Sequence, residues 1–101
     1  MNDIEDLMAR VQAQQEEVER IQRSVTQLTV EGYSRNNEVT VRLRGTGRFS
    51  EISIDPDAVR ALDAAALGDI VMEAVNDGLQ RLGEASAARF APVVARAGTE
   101  V

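Results

Sequence analysis

From Ile4 onward the apolar residues Ile4, Leu7, Val11, Val18, Ile21, Val25 and Leu28 recur at steps of three and four, broken only at Gln14. That spacing predicts a helix with a narrow apolar seam, of the kind that pairs with another helix. Taken from Asp3 to Ser24 it runs about 33 Å at about 1.5 Å per residue, which is long for so small a chain. Asn2 is the expected N-cap, with Glu5 three residues on. The period then changes. The segments QLTVEGYS, NEVTVRLR and GRFSEISI alternate at period two with turn residues between them, which predicts a three-stranded antiparallel meander.

Gly45-Thr46 suits a two-residue type II′ hairpin with glycine at its first central position. That turn sets Val39 against Ile52, Val41 against Ser50 and Leu43 against Arg48. A loop over Ser34, Arg35, Asn36 and Asn37 sets Val30 against Val41 and Leu28 against Leu43. Both registers then collect the valines and leucines on one face. The other face carries Thr29, Glu31, Tyr33, Glu38, Thr40, Arg42, Arg44, Phe49, Glu51 and Ser53.

Asp55 before Pro56 predicts a capped helical turn over Pro56 to Arg60. Asp63 is placed to cap a long C-terminal helix with Leu67, Ile70, Val71, Ala74, Val75, Leu79 and Leu82 on its apolar side. Pro92 is unfavourable inside a helix, so the helix is expected to end near Ala91. This gives one α+β domain over residues 1–91 and a frayed tail over 92–101. Inside the C-terminal helix pattern stands Asn76-Asp77-Gly78, three poor helix formers in a row.

Three short strands cannot cover both long helices, and an apolar stripe left in water is unusual for a monomer. The pattern therefore predicts a homodimer, with Ile4, Leu7, Val11, Val18 and Ile21 in the interface and strand edges contributing.

Composition narrows the chemistry. The chain of 101 residues has no cysteine and no histidine, which removes disulfides, thiolate chemistry and histidine-based catalysis. No apolar run is long enough to span a bilayer and Met1 is followed by acids, so a cytoplasmic protein is expected. Asp69, Glu73 and Asp77 share a helix face, but no base, lysine or phosphate loop converges on them; the reading is an acidic face, no enzyme, no metal and no cofactor.

The net charge is −6, and all 11 basic residues are arginine. On the first helix Asp6, Glu16 and Glu19 each precede an arginine by four residues, which predicts ion pairs with Arg10, Arg20 and Arg23. Arg81 is expected to pair with Asp77. Arg35, Arg42, Arg44 and Arg48 have a single acid, Glu38, among them in sequence. They form either a phosphate-binding surface, with Arg42 stacked on Phe49, or cross-strand pairs with Glu31 and Glu51.

The order of these features resembles the YbaB/EbfC family of bacterial nucleoid-associated proteins. The resemblance covers about Met1 to Phe90 and rests on V-E-G at Val30 to Gly32, alternating valines leading to G-x-G at Gly45 to Gly47, I-D-P at Ile54 to Pro56, and A-x-N-D at Ala74 to Asp77. It implies that the helix runs through Asn76-Asp77-Gly78, and Asn76 is expected to bond to the strand or loop backbone. It also implies a tweezer-like homodimer in the nucleoid that binds double-stranded DNA with little sequence preference and takes part in nucleoid organisation and gene regulation. The family's DNA contacts lie on projecting helices, matched here by Arg10, Arg20 and Arg23. The first helix departs from that picture, with six acids against three arginines and no lysine. DNA contacts on the helix and on the strand cluster both stay open, as does a second reading: an acidic dimeric module that holds a protein partner, as a chaperone or scaffold does, without binding DNA.

Overall fold

The computed structural model describes residues 3–99. In order come α1 (Asp3–Thr26), β1 (Thr29–Tyr33), β2 (Val39–Arg44), β3 (Phe49–Ile54), α2 (Pro56–Ala61) and α3 (Ala64–Thr99). The strands form one antiparallel sheet in the order β1-β2-β3. The expected cap at Asn2 lies outside the described residues.

α3 lies chiefly over β1 and β2, and its Ala74 joins Val39 and Val41 in the buried core, with Ile54, Ile70, Val71 and Val75 packed around them. Among the described residues only Val39, Val41, Leu43, Ala58 and Ala74 are buried apolar residues. The core therefore sits under one strand, β2. β3 is exposed along nearly its whole length. α1 buries no residue at all, and its half-buried apolar residues Val18, Ile21 and Val25 lie on the half that reaches the sheet. The molecule measures 74 × 23 × 16 Å with a radius of gyration of 20.2 Å, against about 13 Å for an ordinary compact domain of this length.

Both hairpin registers differ from expectation by two residues. Val30 pairs with Leu43, and Gly32 with Val41; Val39 pairs with Ile54, and Val41 with Ile52. A shift of two preserves the faces, so the valines and leucines still meet α3. The cause in the second hairpin is its turn. Gly47, not Gly45, takes the positive φ, at 86°, with its N–H donating to the Arg44 carbonyl at 2.8 Å and the Arg44 N–H to Arg48 at 2.9 Å. This is a three-residue loop closed by a left-handed glycine rather than a type II′ turn. In the first hairpin Ser34 belongs to the ladder, donating its N–H to Val39 at 2.9 Å, and the turn follows it with Asn37 at φ 61°. A bulge between Arg42 and Leu43 then sets Phe49 opposite Leu43. Phe49 thus stands on the core face and not beside Arg42.

Asp55 caps α2 by accepting the Asp57 N–H at 2.9 Å, and Asp63 caps α3 by accepting the Ala66 N–H at 2.8 Å, both as expected. α3 does not end at Ala91. It continues through Pro92 to Thr99, so the tail expected over 92–101 is helical as far as the described residues run. The proline leaves the Ala88 carbonyl without its usual helical donor, but Ala88 is exposed to water. Alanines 85, 87, 88, 91, 95 and 97 around it are the strongest helix formers.

Candidate nucleic-acid interface

The residues of Asn76-Asp77-Gly78 join the last helix to the sheet. Gly78 is buried against Gly32, with 3.6 Å between a Cβ at Gly78 and the Gly32 Cα. A Cβ on Gly32 would overlap the Ala74 carbonyl oxygen and the Gly78 nitrogen. V-E-G and N-D-G are therefore two halves of one backbone-to-backbone joint.

Asp77 locks the joint by accepting the Tyr33 N–H at 2.9 Å, and Glu73 accepts the Arg35 N–H one helical turn earlier at 3.0 Å. Sequence reasoning assigned that fastening role to Asn76. The Asn76 side chain is exposed and makes no hydrogen bond among the described residues, so its neighbour Asp77 has the role instead. Glu73 and Asp77 are accordingly more than a solvated acidic face. They satisfy backbone donors at the end of β1, an edge strand.

The Tyr33 N–H is the largest cause holding the Asp77 carboxyl below its ordinary range, with Arg81 adding to it and burial opposing. Arg81 bonds Asp77 at 2.8 Å, as the sequence predicts, and lies 5.3 Å from the centre of the Tyr33 ring. Asp77→Asn keeps an acceptor oxygen and removes the charge. Because the folded pKa is depressed, the charge contributes stability above the ordinary value of 3.8 and loses it as pH falls through the lower folded value. The variant is expected to be about 1 kcal/mol less stable at neutral pH, allowing for partial exposure of the pair. Urea unfolding at neutral pH and near pH 3 checks this, and a gap that persists unchanged in acid would assign the loss to something other than charge.

The arginines sort by location. Arg42 is held between Glu51 at 2.7 Å and Glu31 at 3.1 Å, and the Tyr33 hydroxyl donates to Glu31 at 2.5 Å. That hydroxyl, then Arg42, holds the Glu31 carboxyl below its ordinary range, and Glu31 in turn raises the guanidinium of Arg42. The alternative of cross-strand pairing is the one realised at this position, and the expected stacking on Phe49 is not. Arg35 stands exposed in the β1–β2 turn, at the end of the sheet away from Arg44 and Arg48.

Arg44 and Arg48 are exposed at the tip of the second hairpin and form no ion pair among the described residues. The expected pairs on α1 are also absent there. Arg10, Arg20 and Arg23 are exposed and make no ion pair with Asp6, Glu16 or Glu19. Long side chains on a wet helix face gain little by pairing, so this arrangement leaves the guanidiniums available.

The fold brings some of these groups together. Gly45 presses on the last turn of α1, where a Cβ would overlap the Val25 carbonyl oxygen, and its N–H donates to Leu28 at 2.9 Å. The hairpin tip bearing Arg44 and Arg48 is thus seated beside the end of α1 that bears Arg20 and Arg23. Arg89 of α3, which sequence reasoning missed, hydrogen-bonds the Ser24 hydroxyl from the other side. Arg10 lies away from this junction along α1, and Arg35 lies at the far end of the sheet.

Two-layer packing of a single helix on a small meander, with exposed arginines on elongated elements, defines a small α+β protein. Comparison with known proteins is more specific. The model of the YbaB/EbfC DNA-binding family matches residues 1–97. A nucleoid-associated protein of Nocardia farcinica is 32% identical over 91 residues, covering 90% of this chain and 83% of that protein. Another, of Corynebacterium kroppenstedtii, is 35% identical over 75 residues, covering 74% and 75%. The crystal structure of the uncharacterized protein HP0035 from Helicobacter pylori superposes with a TM-score of 0.72 at 19% identity, covering 93% of this chain and 99% of that one, and so shares the fold. The chain belongs to the YbaB/EbfC DNA-binding family. No helix among the described residues is long and apolar enough to cross a membrane.

Proposed function

We propose that this protein is a homodimer that binds double-stranded DNA with little sequence preference, located at the nucleoid and contributing to its organisation and to gene regulation, with no catalytic step. The observation that carries the DNA reading is the set of exposed arginines, Arg20, Arg23, Arg35, Arg44 and Arg48, that form no ion pair among the described residues of an otherwise acidic chain. Guanidinium contacts to phosphate fix position and carry no base information, which fits low sequence preference. The relatives are named as nucleoid-associated proteins, which supports the location.

The homodimer is supported by surface that one copy leaves uncovered. A folded monomer of 11.0 kDa is expected to expose about 5,600 Å². This chain exposes 7362 Å², and the excess of about 1,700 Å² on one copy is about twice the roughly 800 Å² that each partner buries in a specific interface of standard size. Val41, Phe49, Ile52 and Val75 line an apolar cleft of about 380 Å³ between β3 and α3. Met72 and Leu79 extend it along α3 at helical spacing, 54% and 45% exposed. A second copy is the occupant proposed for this cleft. Ile4, Leu7 and Val11, all exposed, with the half-buried Val18 and Ile21, are the proposed contacts of the α1 arm.

A protein-partner reading is favoured by one feature, the exposed stripe of Ile4, Leu7, Met8 and Val11 beside Asp3, Glu5 and Asp6. Fluorescence anisotropy with a random-sequence duplex at several salt concentrations separates the two, with light scattering reporting mass. Salt-sensitive binding by a dimer is expected, with Ile52→Asp giving a monomer that binds at least about tenfold more weakly because half the phosphate contacts are lost. Absence of binding even at low salt removes the DNA reading, and a monomeric parent at micromolar concentration removes the dimer.

A further inference from the structure

The acids and arginines of this chain are not mixed evenly. The three longest segments without Asp or Glu are residues 20–30, 39–50 and 85–99. They hold Arg20, Arg23, Arg42, Arg44, Arg48, Arg89 and Arg96, seven of the eleven basic residues. The segments are far apart in sequence, yet the fold packs them against one another. Residues 20–30 are the end of α1 and the entry to β1; residues 39–50 are β2 with the hairpin tip; residues 85–99 are the outer half of α3. Gly45 against Val25 and Leu28 joins the second to the first, and Arg89 on Ser24 joins the third to the first.

We infer that the waist of the molecule, where α1, the β2–β3 hairpin and α3 meet, is the phosphate-contacting surface, with Arg20, Arg23, Arg44, Arg48 and Arg89 facing the backbone of duplex DNA. This rests on the DNA reading above and narrows it to one place. All five residues are exposed. The free end of α1 is the opposite case: Asp3, Glu5 and Asp6 precede the single cation Arg10, so it repels phosphate. The inner half of α3 carries Asp69, Glu73 and Asp77, and the open face of the sheet carries Glu31 and Glu51 around Arg42. Glu16, Glu17 and Glu19 border the waist on α1 and moderate its potential. Screening over about 8 Å at physiological salt means that a phosphate at the waist responds to the local arginines more than to the net charge.

Three proteins test this: the parent, Arg44→Gln with Arg48→Gln, and Arg10→Gln as the arm control. All three substituted positions are exposed, and circular dichroism with light scattering confirms that each variant keeps the parent's fold and mass. Affinity for a random-sequence duplex is read by anisotropy across a salt series. The double variant is expected to bind about tenfold or more weakly, with the slope of log K against log salt shallower by about 2 for each protomer engaged. Arg10→Gln is expected to bind within about twofold of the parent. A parent that does not bind at any salt refutes the DNA reading itself. A binding parent whose affinity survives the double change, or falls equally with Arg10→Gln, overturns the waist while leaving that reading in place.

Discussion

Gly32→Ala is expected to destabilise the fold by at least about 3 kcal/mol, a large share of the roughly 5–15 kcal/mol available to a domain. The new methyl group would meet the Ala74 carbonyl oxygen and the Gly78 nitrogen, both backbone atoms of α3 that cannot turn aside as a side chain does. Relief requires α3 to lift from β1, and that movement would break the Asp77 and Glu73 bonds to the strand. Gly78→Ala should be milder, because its neighbours are the Leu43 and Val41 methyl groups at 3.0 and 3.2 Å. At Gly68 and Gly83, where a Cβ meets nothing, alanine is expected to stabilise the helix by up to about 1 kcal/mol. Thermal or urea unfolding of these variants gives the ranking, and a Gly32→Ala protein as stable as the parent would show that the joint can slide.

The second large effect is expected at Gly45. Alanine there would overlap the Val25 carbonyl oxygen, so the hairpin tip must leave the end of α1. The expected cost is about 2–4 kcal/mol, together with weaker DNA binding as Arg44 and Arg48 move from Arg20 and Arg23. Gly47→Ala provides the comparison. Its φ of 86° disfavours a side chain, but nothing lies within 4 Å, and the expected cost is about 1–2 kcal/mol with the waist intact. Equal melting temperatures for the two variants would mean that the contact with α1 relaxes readily.

These two glycines also show where sequence reasoning stops. Element order, strand alternation and the caps at Asp55 and Asp63 were legible because each depends on neighbours in the chain. Faces survived even where registers did not, since a shift of two residues returns a side chain to its side; the exception is Phe49, which the bulge at Arg42 and Leu43 moves to the core face. The turn over Gly45 and Gly47 was misread because both glycines fit a hairpin locally. What assigns the positive φ to Gly47 is the seat of Gly45 on α1, a contact between distant segments. Asn76 and Asp77 were interchanged for a similar reason: adjacent positions on a helix point about 100° apart, and only the packed sheet decides which one reaches Tyr33.

The arginines were legible in number but only in part in partnership: the Arg81–Asp77 pair and the cross-strand alternative for Arg42 are realised, and the pairs on α1 are not. Spacing at four residues offered ion pairs to Arg10, Arg20 and Arg23, and the structure leaves them open. Arg42 shows the reverse, since the acids that claim it come from two neighbouring strands. Arg89 could have been noticed through the lack of acids over 85–99. Its meaning emerges only once that segment is seen beside residues 20–30 and 39–50.

The 74 Å length set against a width of 23 Å has a hydrodynamic consequence. A rod of these proportions meets more friction in water than a sphere of equal mass, so it diffuses slowly and leaves a gel-filtration column early. One copy will run as though it were a larger globular protein, and its elution position alone will overstate its mass.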